Sequence, residues 1–582
     1  MFEGTYLRLS RCGCPYHARG SAILPGIDAA SWSLSHRRSD AVGRRGMVAT
    51  SNPDAALAGL RALQAGGNAC DAALAAAGVL VVAEPSQCAP GGDLFAIVVR
   101  DGDAPVGLNA SGRAPAEPGD ALPEEFGPQS VTVPGCVAGW TDLAERFSRR
   151  GLADALAPGI ALAREGFEIQ PKAGRHWRAC LADLEGDAAA AFQPASPFRS
   201  PAIADALDHA VAGTFYTGPI ADAIASVSWL ERADLEAHEN DWVEPVEFAY
   251  RDRTLLELPP NGQGSIAGWA LEGLASPDPP AQVEALAEAY ARGYATIGGT
   301  AYVCAADGEG MGVSLIQSVY HGFGSRVLVP GFGFVLQNRG AGFVLEPGHP
   351  NEFAPGKRPF HTIIPAALLG PDGRWEAVFG VTGGQFQPQG HVQVVVNMLD
   401  NGLGPQAALD APRYRLEEDG AVSLESPLAH LVGAFGNRSS SVLDTDDNYG
   451  NGHVIVRTPA GRLRGGTEPR RDGLAVGFLA CRACPRPAAA RSPGTSAARG
   501  RRSSATRAGR DARPPTTPTC PSSRPSTRSS CSTRAAPARP IRRPIRRATT
   551  SRTMPTTSTP CSGTWGSSGL TCSATPTAAS WR

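Results

Sequence analysis

Met47-Val48-Ala49-Thr50 is a short apolar run that predicts a strand, and Asn52-Pro53-Asp54 after it reads as a helix cap with an early proline. Ala56, Leu57, Leu60 and Leu63 then recur at helical spacing until Gly66-Gly67-Asn68 stops the helix. A second, alanine-rich helix over about 69–82 is apolar on most sides and is expected to be buried. Pro90-Gly91-Gly92 precedes a strand at 94–99. From 113 to about 244 the pattern is mainly helical, most clearly at 140–146, 152–164 and 201–211. After Tyr302 the texture changes to strands at 302–306, 313–318, 332–337 and 377–380, separated by Gly and Pro turns, with a helix at about 391–399. Helices first and strands second predict an α/β (α+β) fold in which sheets pack face to face beneath outer helical layers.

Charge divides the chain. The formal net charge of the 582 residues is −1. From Cys481 onward there are 19 Arg and one acid, Asp511, which leaves 35 basic and 54 acidic residues in the remainder. The segment 479–582 is built almost entirely from Arg, Ser, Thr, Pro, Ala, Cys and Gly, a composition that cannot bury enough apolar surface to offset its ordering entropy, so disorder is expected. Three readings of it stand: translation of a GC-rich gene out of frame, which the near-absence of Lys and the abrupt change after Phe478 favour; a plain linker; and, least favoured, an arginine-rich nucleic-acid arm. Residues 1–45 show no secretory signal and are expected to be an unstructured extension. The longest apolar run, 72–83, is too short to cross a bilayer, so no membrane partner is expected. Six of the 13 cysteines lie in the basic segment, and Cys481-x-x-Cys484 lacks the second pair a zinc site needs. A reducing, cytoplasmic location is the default.

The most informative tripeptide is Gly298-Gly299-Thr300, just before the strand at 302–306. Threonine is a poor nucleophile inside a peptide, but at a chain start its own α-amino group can take the hydroxyl proton. Such an amine titrates near about 7.7 to 8.0, which suits a general base. Two glycines ahead of it permit the tight backbone in which the hydroxyl could reach its own upstream carbonyl.

Several stretches carry a family likeness. Gly46-Met47-Val48-Ala49, Gln64-Ala65-Gly66-Gly67-Asn68-Ala69-Cys70-Asp71-Ala72-Ala73, Val82-Ala83-Glu84-Pro85, Gly91-Gly92, Val133-Pro134-Gly135, Pro355-Gly356-Lys357-Arg358-Pro359, Gly383-Gly384 and Arg470-Arg471-Asp472-Gly473 follow one another as in the gamma-glutamyltranspeptidase family. The resemblance covers about 46–478. It implies the four-layer αββα sandwich of the N-terminal-nucleophile hydrolases and self-cleavage between Gly299 and Thr300. The large-subunit part would be 46–299 and the small-subunit part 300–478, the two remaining associated. It implies Thr300 as nucleophile, supported by the Ser318 hydroxyl, and an oxyanion site at the Gly383 and Gly384 amides. Arg113 matches the arginine that grips the substrate carboxylate, with a guanidinium fork suited to the task. His361 and Thr362 fall where a serine pair holds the same group. The implied substrates are γ-glutamyl or glutaryl-type amides, acylating Thr300 and passing to water or an amine. No cofactor is implied.

Two departures refine this expectation. The acid that usually holds the substrate's α-amino group is replaced by Gly342, and nearby Arg339 favours acidic groups over an ammonium. The pattern is similar to the cytoplasmic branch of the family and to the glutaryl-cephalosporin acylases. The stretch between Gly264-Ser265-Ile266-Ala267 and Thr300 is also shorter than the family carries, although loop shortening is often tolerated. The main alternative is therefore an uncut, inactive homologue that only binds small acids. A metal hydrolase built on His321, His349, His361 and His391 is weaker, since these show no ligand spacing.

Overall fold

The computed structural model describes residues 38–293, 299–445 and 448–479. The expected 479–582 segment, with Cys481 and Cys484, lies outside the described residues apart from Leu479, and so does Gly298.

Two seven-stranded antiparallel sheets form the centre. The first runs, in spatial order, Leu474–Phe478, Gly46–Thr50, Gly299–Asp307, Met311–Tyr320, Asp93–Arg100, Val106–Ala110, Asp241–Val243. The second runs Ala41–Gly43, Leu463–Thr467, Gly452–Arg457, Trp375–Val381, Ala366–Leu369, Arg253–Glu257, Val246–Tyr250. Strand alternation sorts their side chains into layers. Tyr302, Cys304 and Ala306 pack with Phe95, Ile97, Ile316, Val378 and Ile455 between the sheets, whereas Ala301, Val303 and Ala305 turn to the opposite face. That outer face is covered by helices Pro53–Gln64, Ala69–Ala83 and Cys136–Phe147, and Gly151–Glu165 packs on Ala69–Ala83. The far side of the second sheet packs on Gly264–Glu272 and Phe386–Leu399, and Pro279–Arg292 packs against those two helices. The result is the four-layer αββα sandwich.

Local signals explain much of this. The Asn52 side chain accepts the amides of Asp54 and Ala55, and Asn68 and Asp71 form a reciprocal capping box. Every residue of the alanine-rich helix Ala69–Ala83 is buried, as its all-round apolar pattern requires.

Four expectations change. Ala41–Gly43, read as part of an unstructured extension, pair with Leu463–Gly465 as an edge strand. The run 332–337 makes isolated bridges only, Val335 with Leu328 and Leu336 with Gly91, because glycines at 331 and 333 with positive φ keep turning its start. The mainly helical stretch 113–244 ends in an edge strand, Asp241–Val243. The helix expected at about 391 begins at Phe386, since Pro388 falls in its first turn, where a missing N–H costs nothing.

Candidate active site

Three adjacent strands deliver side chains to one end of the space between the sheets. Thr300 has the same parity as Tyr302, Ser318 as Ile316, and Asp93 as Phe95, all inter-sheet residues. Gly299 pairs with Tyr320 and Ala301 with Gln317, so Ser318 and Val319 together oppose Thr300 in a bulge. Ser318 in turn pairs with Asp93. Thr300 is 2% exposed. Its Oγ1 accepts a hydrogen bond from Gln387 Nε2 at 3.3 Å, and the Gln387 Oε1 accepts the Ile364 amide at 3.0 Å. That second bond fixes which end of the glutamine faces the threonine.

Gly383 and Gly384 lie between the strand Trp375–Val381 and the helix Phe386–Leu399, with φ of 112° and 61°. Their carbonyls accept the amides of Phe386 and Gln387, and among the described residues neither glycine's own amide has an acceptor. The Gln263 Nε2 donates to the Gly384 carbonyl at 2.8 Å and to the Thr362 carbonyl at 2.7 Å, tying the glycine turn to the next segment.

Arg339 is fully buried at the centre. It donates to Thr362 Oγ1 at 3.1 Å and Ser318 Oγ at 3.3 Å, lies 4.1 Å over the Tyr320 ring, and its Nε, 4.0 Å from Asp93, has no hydrogen-bond partner. Burial lowers its pKa to about 10, with Tyr320 and Asp93 opposing, so it remains a cation at neutral pH. His361 donates from Nε2 to Asp93 at 3.1 Å and accepts the Ile363 amide on Nδ1 at 3.3 Å. Burial first, and Arg339 second, hold His361 at about 4, so it is neutral.

The structure thus brings Thr300, Ser318, Gly383, Gly384, Arg339, Thr362 and His361 into one cluster and leaves Arg113 outside it. Arg113 is half-exposed, 3.9 Å from Asp241 and 3.4 Å from the Gly356 carbonyl. Only its neighbour Gly112 reaches inward, donating to Asp93 at 3.2 Å. In this structure the single N–H of His361 is directed at Asp93, with the Ile363 amide on its other ring nitrogen. Gln387, Gln263 and Asp93 were not anticipated; their only sequence signal is position, beside Gly383-Gly384, after Asn261-Gly262 and after Gly91-Gly92.

The family model described as gamma-glutamyltranspeptidase matches residues 55–298 and 287–478. The chain belongs to the gamma-glutamyltranspeptidase family. It is 30% identical to the glutathione hydrolase-like YwrD proenzyme of Bacillus subtilis (strain 168), over 75% of this chain and 99% of that protein. It is likewise 30% identical to the oxamate amidohydrolase proenzyme of Klebsiella pneumoniae subsp. pneumoniae, over 75% and 99%. A crystal structure of cephalosporin acylase from Bacillus halodurans superimposes with a TM-score of 0.72 at 36% identity, over 77% of this chain and 99% of that one. The two gamma-glutamyltranspeptidase matches overlap across 287–298, immediately before Thr300. The alignment to the Bacillus subtilis relative spans 529 positions yet takes up only 75% of this chain, so that relative carries residues absent here.

Among the described residues no three His, Cys, Asp or Glu side chains converge as metal ligands. His391 is tied to Glu257 at 2.7 Å, His349 accepts the Asn351 amide and His321 packs on Phe126 and Tyr320. Among the same residues no helix is long and apolar enough to cross a membrane.

Proposed function

We propose that this chain cuts itself between Gly299 and Thr300 and that the freed Thr300 cleaves γ-glutamyl or glutaryl-type amides, passing the acyl group to water or an amino acid. The observation that carries this reading is the enclosure of Thr300 Oγ1 between Gln387 and the Ser318 bulge, with the same Gln387 donating its backbone amide to the Gly384 carbonyl. Gln387 donates to Oγ1, so the hydroxyl's own proton points elsewhere, which leaves it to the α-amino group created by scission. Oγ1 then attacks the amide carbon while the amine takes the proton. The oxyanion is held by the amides of Gly383 and Gly384, and the C–N bond breaks as the amine returns the proton to the leaving nitrogen. Water or an acceptor amine resolves the ester by the reverse path.

The proposed hold on the acyl carboxylate is shared between Arg339 with Thr362 inside and Arg113 at the rim. A buried cation whose Nε lacks a partner favours an anion and opposes an ammonium, which supports a glutaryl-type group. His361 acts through Asp93, keeping that carboxylate fixed beside Arg339. The 46–299 and 300–478 parts are the proposed large and small subunits, and a cytoplasmic setting remains the expectation.

The second reading is an uncut, inactive homologue that binds small acids. What favours it is that the family match falls into two separate segments that meet over 287–298, just ahead of Thr300. Denaturing mass spectrometry separates the two: the enzyme reading expects two polypeptides, one starting at Thr300, and Thr300→Ala should leave one chain of 60.4 kDa. A wild-type chain that stays whole and inactive would sink the enzyme reading, and whole chains with full turnover would sink both.

A further inference from the structure

A cavity of ≈ 480 Å³ opens beside the cluster, and the mechanism above does not use it. It is lined by Gln263, the same residue whose Nε2 is spent on Gly384 and Thr362. Gln263 is 2% exposed and its Oε1 has no hydrogen-bond partner. A buried amide oxygen without a donor is destabilising, so a ligand N–H placed there would be favoured. The cavity walls continue as apolar surface from Ile266, Trp269 and Phe360. The charged groups among its described lining are all cations, Arg292, Lys357 and Arg358. Lys357 is anchored on the carbonyls of Pro350 and Glu352, and Arg358 on Asp241 and the Ser111 carbonyl. Arg292, at the end of the helix Pro279–Arg292, has no acid partner among the described residues.

We infer that this cavity is the subsite for the amine half of the substrate, and that it selects amines with an apolar, preferably aromatic body bearing a carboxylate. Gln263 Oε1 accepts the N–H of the amide being cleaved, or of the amine attacking the acyl-enzyme. The body lies on Trp269, Ile266 and Phe360, and its carboxylate meets Arg292. Acid on both halves follows: Arg339 reads the acyl end and Arg292 the amine end. The inference rests on the proposed amide chemistry of Thr300, but the subsite belongs to the uncut chain as well.

Two measurements separate the two ideas. The first is calorimetric binding of 3-aminobenzoate, aniline and 3-(aminomethyl)aniline to the uncut Thr300→Ala chain. 3-Aminobenzoate should bind at least 10-fold more tightly than either, and Arg292→Ala and Trp269→Ala, each placed in the Thr300→Ala chain, should each erase most of that difference. The second compares glutaryl amides of the same three amines on the cleaved chain, where the order should recur in KM more than in kcat. Equal affinity for all three amines, or a preference that survives Arg292→Ala, overturns the subsite. Selective binding without any turnover upholds the subsite and counts against the proposed function instead.

Discussion

Replacing Arg339 by Met tests the reading of the acyl carboxylate. In the intact chain the guanidinium donates to Thr362 and Ser318, covers the Tyr320 ring and stands 4.0 Å from Asp93. Removing one member of a buried ion pair costs about 3–5 kcal/mol when the other charge is stranded. Asp93 is not stranded, because it keeps the N–H groups of His361, Gly112 and Gly135. The loss of folding stability should therefore fall nearer about 1–3 kcal/mol, the range for hydrogen bonds left unmade. Substrate has no such reserve. A charge-assisted hold contributes about 1.5–3 kcal/mol, so kcat/KM for a glutaryl anilide should drop roughly 10- to 150-fold. Butyryl anilide has the same carbon chain with hydrogen in place of the carboxyl group, and its kcat/KM should barely change. Initial rates with both anilides on cleaved protein, alongside urea midpoints, decide the matter. An equal fall for both substrates would mean that Arg339 serves the fold and not the acyl group, and the glutaryl argument would fail.

Two further outcomes are expected. Gly383→Ala introduces a Cβ at φ 112° and 3.0 Å from the Gly450 Cα, so the turn must shift; about 1–3 kcal/mol of strain and a roughly 100-fold loss in kcat should follow, and a variant with unchanged kcat would remove this turn from the oxyanion site. Glu84 accepts from Ser51 and Gln87 at 2.9 Å each, yet burial outweighs these bonds and nearby Arg471, and raises its carboxyl to about 7. A carboxyl raised in the folded state binds protons that the unfolded chain releases, so stability should decline as pH rises from about 4.5 to 7, by about 3 kcal/mol at most. Glu84→Gln should flatten that slope in urea titrations at pH 5 and 8, and parallel slopes in both proteins would contradict the assignment.

The layers were legible because their signals are local. Asn52, Asn68 and the alanine run fix two helices, and alternation around Tyr302 and Ile316 fixes the face that later carries Thr300 and Ser318. The strand expected at 332–337 was not, because an apolar run reads alike whether or not a partner strand lies beside it. The early start of the helix at Phe386 was hidden by Pro388 and Gly390, which read as breakers in the absence of the preceding turn. Family likeness pointed to Gly383, Gly384 and Thr362, and the charge of Arg339 marked it out beside Gly342, yet neither could show that Asp93 already occupies the His361 N–H. Gln263 and Gln387 were silent, since a buried glutamine holding two segments has the same sequence signature as a solvated one.

The strand order has a consequence for a chain broken between Gly299 and Thr300. In the first sheet Gly46–Thr50 sits between Leu474–Phe478 and Gly299–Asp307, and Met311–Tyr320 borders Asp93–Arg100. In the second, Ala41–Gly43 borders Leu463–Thr467, and Ala366–Leu369 borders Arg253–Glu257. The two fragments are woven through each other like the fingers of clasped hands, with no flat boundary along which they could part. Dilution alone should never release them, and once unfolded they would have to find each other as separate molecules, so scission would turn a unimolecular refolding into a concentration-dependent one.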